Sequence, residues 1–200
     1  MTTDIAPVSK PLIIAMTGAS GAAYGISLLE VLRDLPVETH LIMSKAAALT
    51  IREETDRKVE DVRALADRVW SVGDIGAAIA SGSFRSAGMI IAPCSIKTLS
   101  EVATCAAGNL IARAADVCLK ERRRLVLMVR ETPLHTGHLR LMTQASEAGA
   151  IVMPPVPALY TRPAGIDDMV RHTTGRVLDL FDIDAGLVRR WQGTSARNDD

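Results

Sequence analysis

The chain has 200 residues, and its 23 Lys plus Arg are balanced by 23 Asp plus Glu, so no bulk charge draws it to nucleic acid or to an anionic membrane. Hydrophobic residues make up 48 % and charged residues 23 %, which fits one soluble domain with a real core and excludes a disordered chain. The three cysteines form no Cys-x-x-Cys pair, which excludes a disulfide scaffold or a cysteine-rich zinc site and suits a reducing compartment.

No apolar run approaches the roughly 20 residues that span a bilayer. The start, Met1 to Lys10, lacks the basic-then-apolar pattern of a signal peptide. A cytoplasmic protein is the expectation. Aromatic residues are only 3 %, so the core must be aliphatic.

In chain order, Pro11 to Thr17 is a continuous apolar run closed by a glycine turn and predicts a buried strand. Leu28, Leu29 and Leu32 at helical spacing predict a helix from about Ala22 to Asp34, stopped by Pro36. Val37 to Met43 reads as a strand, and Ser44 as the cap of a helix reaching about Glu54. Residues 57–87 are more polar and predict one helix around Glu60 to Val69. Gly88 to Cys94 is a strand, and Ser95 opens the next helix. A helix over about Leu110 to Lys120, a strand at Leu125 to Val129, a helix at His135 to Ala148, a strand at Ala150 to Met153 and a helix at Ile166 to Phe181 complete the pattern. Such alternation predicts an α/β fold: a doubly wound parallel sheet in a Rossmann- or flavodoxin-like three-layer sandwich. One domain over 11–192 is expected, with flexible ends at 1–10 and 193–200.

In such sheets a ligand sits beyond the carboxyl ends of the strands. Three strands here end in small hydroxylic turns: Thr17-Gly-Ala-Ser-Gly21, Met43-Ser-Lys45 and Pro93-Cys-Ser-Ile-Lys-Thr98. Each leads into a helix N-terminus, where free N–H groups favour phosphate. Ser44 and Ser95 taken singly are helix caps; three such turns on successive strands point to a nucleotide site. Neither Gly-x-Gly-x-x-Gly nor a P-loop lysine is present.

Arg130 and Glu131 directly follow a buried strand and read as site residues. Arg113 and Lys120 lie two helical turns apart on one face and suit a shared anion. Arg122, Arg123 and Arg124 read as a solvated helix end, and Arg176 alone reads as a surface arginine. Tyr160, on a loop stiffened by Pro154-Pro-Val-Pro157, suits a ligand contact. The histidines show no metal-ligand spacing, His135 and His138 fit a helix start, and no metal is expected. The cysteines read as small core residues.

The runs Met16-Thr-Gly-Ala-Ser-Gly-Ala22, Ile42-Met-Ser-Lys-Ala-Ala47, Glu54-Thr-Asp56, Ala80-Ser-Gly-Ser83, Ile91-Ala-Pro-Cys-Ser95, Asn109 to Asp116, Leu119-Lys-Glu-Arg-Arg123, Arg130-Glu-Thr-Pro-Leu134, Met153-Pro-Pro-Val-Pro157 and Tyr160 resemble, in family order, the UbiX family of flavin prenyltransferases. The resemblance spans about residues 11–192. It implies a homo-oligomer, usually a dodecamer, with FMN at subunit interfaces. It implies FMN contacts at Gly18, Ala19, Ser20, Ser44, Ser95, Ile96, Lys97, Thr98 and Arg130. It places the prenyl phosphate on Lys120, Arg130, Tyr160 and Arg176, with Arg113 and Trp191 at further substrate positions. Ser20, Glu54, Glu131 and Lys120 match catalytic positions. The family commonly has Val-Pro-Arg-Glu where this chain has Met128-Val129-Arg130-Glu131.

The implied reaction joins reduced FMN and dimethylallyl phosphate, through flavin N5 to prenyl C1 and then flavin C6 to prenyl C3. Glu54, Glu131 with Ser20, or the retained phosphate are the candidates to move the C6 proton, and the donor is a monophosphate or a diphosphate. The product would serve a UbiD-type decarboxylase. Two rival readings are an FMN-dependent peptidyl-cysteine decarboxylase and a non-catalytic FMN-binding subunit. Against the first, no histidine lies between residues 41 and 134; against the second, the basic residues exceed what FMN alone needs.

Overall fold

The computed structural model describes residues 10–191 and 193. The ends expected to be flexible, 1–10 and 193–200, lie outside the described residues apart from Lys10 and Gly193. The chain divides into two compact units, Met1–Pro155 and Val156–Asp200.

The first unit carries β1 (Leu12–Met16), α1 (Ala22–Arg33), β2 (Thr39–Met43), α2 (Lys45–Glu54), α3 (Val59–Arg63), β3 (Arg68–Ser71), β4 (Gly88–Cys94), α4 (Ile96–Ala103), α5 (Leu110–Lys120), β5 (Arg124–Val129), α6 (Thr136–Glu147) and β6 (Ile151–Val152). The strands form one sheet in the order β3-β2-β1-β4-β5-β6, and every pairing is parallel. The chain winds outward from β1 to β3, returns to lay β4 beside β1, and winds outward again to β6. This is the doubly wound order of a Rossmann sheet, and its switch point lies between β1 and β4.

The central strands β1 and β4 are buried on both faces, which is why they read as unbroken apolar runs. Ile13 and Ala15 of β1 join Met89, Ile91, Leu125 and Leu127 in a cluster with Leu99 and Val102 of α4 and Ile111, Ala114, Ala115 and Cys118 of α5. On the opposite face, α1 approaches β1 and β4 so closely that a Cβ on Gly25 would lie 2.4 Å from the Ala92 carbonyl oxygen and 2.7 Å from Met16 Cε.

The helix expected around Glu60 to Val69 is shorter, and a strand follows it. α3 ends at Arg63, and β3 pairs with β2 from His40↔Arg68 to Met43↔Ser71. Asp67 pins the start of this pairing: its carboxylate accepts from Thr39 N at 2.7 Å and from Thr39 Oγ1 at 2.9 Å. The sheet therefore has six strands where the apolar pattern indicates five.

The second unit holds a 3-10 turn at Leu159–Thr161 and α7 at Ile166–Asp179. A Cβ on Gly175 would lie within 2.9 Å of Leu187 and Val188 side chains, so the segment after α7 packs back on that helix. Among the described residues no helix is long and apolar enough to cross a membrane.

Candidate functional site

The carboxyl ends of β1, β2, β4 and β5 converge at one edge of the sheet, and Thr17 ties the middle pair together. Its hydroxyl donates to Pro93 O at 2.7 Å and accepts from Ser95 N at 2.8 Å. Its donor proton and one of its lone pairs are used within the fold, so Thr17 ties the end of β1 to the end of β4.

Ser44 and Ser95 are true helix caps. Ser44 Oγ accepts from Ala47 N at 3.0 Å and Ser95 Oγ from Thr98 N at 3.4 Å. A cap of this kind serves the third helical N–H and leaves the first two without an intrahelical partner. The starts of α2 and α4 thus retain backbone donors beside the two serines. Ser44 also lines a cleft of about 470 Å³ with Lys45, Arg63 and Trp70.

The start of α1 differs from that expectation. Gly21, at φ 108, offers no side-chain cap; instead Glu54, at the end of α2, reaches across. Its Oε2 accepts from Gly21 N at 2.8 Å and Ala22 N at 2.9 Å. These amides are therefore taken by a carboxylate and are not free for phosphate. Burial pushes the Glu54 carboxyl up, but the Ser20 hydroxyl, the Ala22 and Gly21 amides and the Arg130 guanidinium together hold it below the usual range. Glu54 is thus ionised, an acceptor poised beside Ser20.

Because its folded value is depressed, the stability Glu54 lends is present above the ordinary carboxylate range and is lost as pH falls through the lowered value. The melting temperature is expected to drop between about pH 5 and 3, and less steeply in Glu54→Gln. Identical pH profiles for the two proteins would contradict this role.

Gly18 is needed for packing: a Cβ there would meet Ala46 Cβ at 2.4 Å. It lets the 18–20 loop lie against the start of α2, where Ala19 and Ser20 face the same edge. Arg130 follows β5 and donates its amide to Cys94 O at 3.0 Å. Its side chain lies over the Gly21 turn, 3.7 Å from where a glycine Cβ would stand. Tyr24, which the sequence reading passed over, shares that spot; burial raises its phenol, and Arg130 offsets part of the rise. Glu131 is exposed and accepts from the Thr132 amide at 3.0 Å. Of the residues after Ser95, Thr98 is buried under the cap, Ile96 is half-buried, and Lys97 turns outward to Glu101 at 3.3 Å.

Lys120 does not join this edge, and Arg113 is engaged elsewhere. Both lie on α5 against the loop around residues 80–84: Arg113 Nε donates to Ala80 O at 3.1 Å and its guanidinium pairs with Asp116 at 2.8 Å. Lys120 pairs with Glu121 at 2.5 Å and crowds Gly82. Lys120 precedes the start of β5 and Arg130 follows its end, so the length of that strand, roughly 17–20 Å, separates them.

Two minor readings need correction. Arg123 is no solvated helix end: its side chain is only 16 % exposed and donates to Phe84 O and, at 2.7 Å, to Gly82 O. Cys94 and Cys118 are core residues, but Cys105 is exposed. His135 caps α6 as expected, its Nδ1 accepting from Gly137 N at 3.0 Å.

In the second unit, the Tyr160 and Trp191 rings meet edge-on with centroids 5.7 Å apart. Arg176 pairs with Asp179 at 2.6 Å. Among the described residues no group of three or more His, Cys, Asp or Glu is gathered as a metal would require.

Comparison with known proteins supplies the remaining observation. The Flavoprotein family model matches residues 6–177. A flavin prenyltransferase UbiX of Thauera aromatica is 58 % identical over 186 residues, which is 93 % of this chain and 96 % of that protein. The crystal structure of AnUbiX (PadA1) in complex with FMN and dimethylallyl pyrophosphate superposes with a TM-score of 0.91 at 52 % identity, covering 92 % of this chain and 98 % of that one. A dodecameric FMN-dependent Ubix-like decarboxylase from Escherichia coli O157:H7 gives a TM-score of 0.90 at 51 % identity, over 92 % of this chain and all of that one.

Proposed function

This chain belongs to the UbiX family of flavin prenyltransferases within the flavoproteins, and from that premise we propose the division of labour among its residues. The protein is a transferase that joins a dimethylallyl group from dimethylallyl phosphate to N5 and C6 of reduced FMN. The observation that carries the residue reading is the convergence of Ser20, Glu54, Ser44, Ser95 and Arg130 at the carboxyl edge of the sheet.

FMN is held by the β1 loop (Gly18, Ala19, Ser20), by Ser44, by Ser95 with Ile96, Lys97 and Thr98, and by Arg130. The site fits that ligand: two capped helix starts retain backbone donors, and Gly18 leaves room for close approach. Lys97 contributes through its backbone, since its side chain turns to Glu101. The prenyl phosphate is assigned to Lys120, Arg130, Tyr160 and Arg176, with Arg113 and Trp191 at further substrate positions. No metal is required.

The first bond, N5 to prenyl C1, forms as the C1–O bond breaks; phosphate departs and takes up the proton that N5 loses. Lys and Arg donors match the charge that develops on the leaving oxygen. Ring closure then adds a proton at prenyl C2 and removes one from flavin C6, so proton count balances. Ionised Glu54 beside Ser20, and Glu131, are the residues of this chain able to relay that proton.

Lys120 and Arg130 stand at opposite ends of β5, so a single chain cannot bring both to one phosphate. We read the site as shared between copies, in a homo-oligomer of dodecameric order like the Escherichia coli relative. Co-expressing inactive Lys120→Ala and Arg130→Ala chains is expected to restore part of the turnover, because mixed interfaces regain one intact site. No recovery in verified mixed oligomers would contradict sharing. Residues 11–192 act as one FMN-binding unit in this reading, in the cytoplasm, and the product passes to a UbiD-type decarboxylase.

Paired affinities test the assignment. A charge-assisted bond to phosphate is worth about 1.5–3 kcal/mol, and each ~1.4 kcal/mol is tenfold. Arg176→Ala is expected to weaken dimethylallyl phosphate binding about ten- to a hundredfold and to leave FMN affinity unchanged. Ser95→Ala is expected to weaken FMN more mildly and spare the prenyl donor. Loss of FMN in Arg176→Ala would overturn the assignment.

A further inference from the structure

Three residues of the second unit, Tyr160, Arg176 and Trp191, carry the prenyl-phosphate reading, yet nothing in the sequence joins them. The structure joins them through two residues outside that set. Tyr160 meets Trp191 edge-on at 5.7 Å. The residue before Trp191, Arg190, forms a two-pronged pair with Asp179: its Nη1 donates to Oδ2 at 3.0 Å and its Nη2 to Oδ1 at 3.0 Å. The same Asp179 accepts from Arg176 Nη1 at 2.6 Å. One carboxylate thus holds two guanidinium groups side by side.

The charge and exposure of this cluster suit an anion. The two arginines outnumber the one aspartate they bond, and Asp184 offsets part of that excess at Arg190. The Asp179 side chain is 14 % exposed, whereas those of Arg176 and Arg190 are 46 % and 57 % exposed. The acid is the covered member, and the cations face outward with N–H donors left over, since guanidinium carries five. Arg190 is the stronger influence on Asp179, holding its carboxyl below the usual range, with Arg176 adding to the effect. Asp184 adds a weaker pull on Arg190.

Resting on the reading that Arg176 and Tyr160 serve the prenyl phosphate, we infer that Arg190 is a further substrate-binding residue for that phosphate and that Asp179 is the positioning residue that holds Arg190 beside Arg176. A planar fork fixed before the ligand arrives loses less freedom on binding than a free arginine. Two such forks clamped together make a rigid grip for a tetrahedral dianion, and Trp191, next in the chain, sets the Tyr160 ring at its side.

The test is steady-state prenylation of reduced FMN by the full chain carrying Arg176→Ala, Arg190→Gln, Asp179→Asn or Asp179→Glu, with FMN affinity and melting temperature measured for each. Arg190→Gln and Asp179→Asn are each expected to raise KM for dimethylallyl phosphate about tenfold while FMN affinity holds. Asp179→Glu is expected to recover part of the loss. The sign for Asp179→Asn is decisive. Removing a negative charge near a phosphate would by charge alone lower KM, so an unchanged or lowered KM overturns the positioning role. An unchanged KM in Arg190→Gln overturns its binding role. If Arg176→Ala raises KM but the other two do not, only this inference fails; if Arg176→Ala leaves KM unchanged, the phosphate reading beneath it fails too. Should Asp179→Asn fold poorly, Arg190→Gln, at an exposed side chain, decides alone.

Discussion

Arg130→Ala is expected to lower turnover about a hundred- to a thousandfold, the loss seen when one fixed donor is removed from a developing negative charge. Three features make this arginine costly to lose. Its backbone is fixed by the bond from its amide to Cys94 O at 3.0 Å, directly after a buried strand. Its side chain lies over the Gly21 turn, beside the loop that carries Ser20. Its charge also helps keep Glu54 ionised. The substitution therefore removes a phosphate donor and raises the affinity of Glu54 for a proton. Arg130→Lys keeps the charge and loses the planar fork, so an intermediate loss is expected. Turnover measured at saturating reduced FMN, on protein with an unchanged circular dichroism spectrum, checks the point; wild-type turnover in Arg130→Ala would refute it.

Gly25→Ala is expected to destabilise the fold, with an overpacking cost of about 3 kcal/mol, near the upper end for a tight core. The added methyl would lie 2.4 Å from the Ala92 carbonyl oxygen, a backbone atom of the central strand β4 that cannot swing aside. Met16 Cε and Cγ, at 2.7 and 2.9 Å, crowd it further. The better helix propensity of alanine offsets only about 1 kcal/mol. For a chain of this size the remaining ~2 kcal/mol lowers the melting temperature by roughly 4–8 °C. Gly73→Ala serves as control, since a Cβ there meets nothing within 4 Å. Equal melting temperatures for the two variants would show that α1 has room the structure denies it.

The sequence carried the sheet because β1, β4 and β5 are buried on both faces and so appear as unbroken apolar runs. It hid β3 for the converse reason. Arg68–Ser71 is an edge strand with three of four residues exposed, and what fixes it is Asp67 reaching Thr39 from 28 positions away. The strand-end serines were legible because a cap is a local device. Glu54 at the start of α1 was not, since its partners Gly21 and Ala22 lie more than 30 residues off. Arginines were the least legible. In sequence, Arg123, Arg176 and Arg190 look alike, yet one is folded inward against the Gly82 and Phe84 carbonyls and two share a carboxylate. The separation of Lys120 from Arg130 likewise follows only from the direction of β5 in the sheet.

The central claim is that this chain prenylates reduced FMN without a metal. Mass spectrometry of the flavin after anaerobic incubation with reduced FMN, dimethylallyl phosphate and a chelator tests it directly. The expected result is a flavin heavier by one isoprene unit, with one phosphate released for each flavin converted. Recovery of unmodified FMN from protein that demonstrably binds both substrates would contradict it.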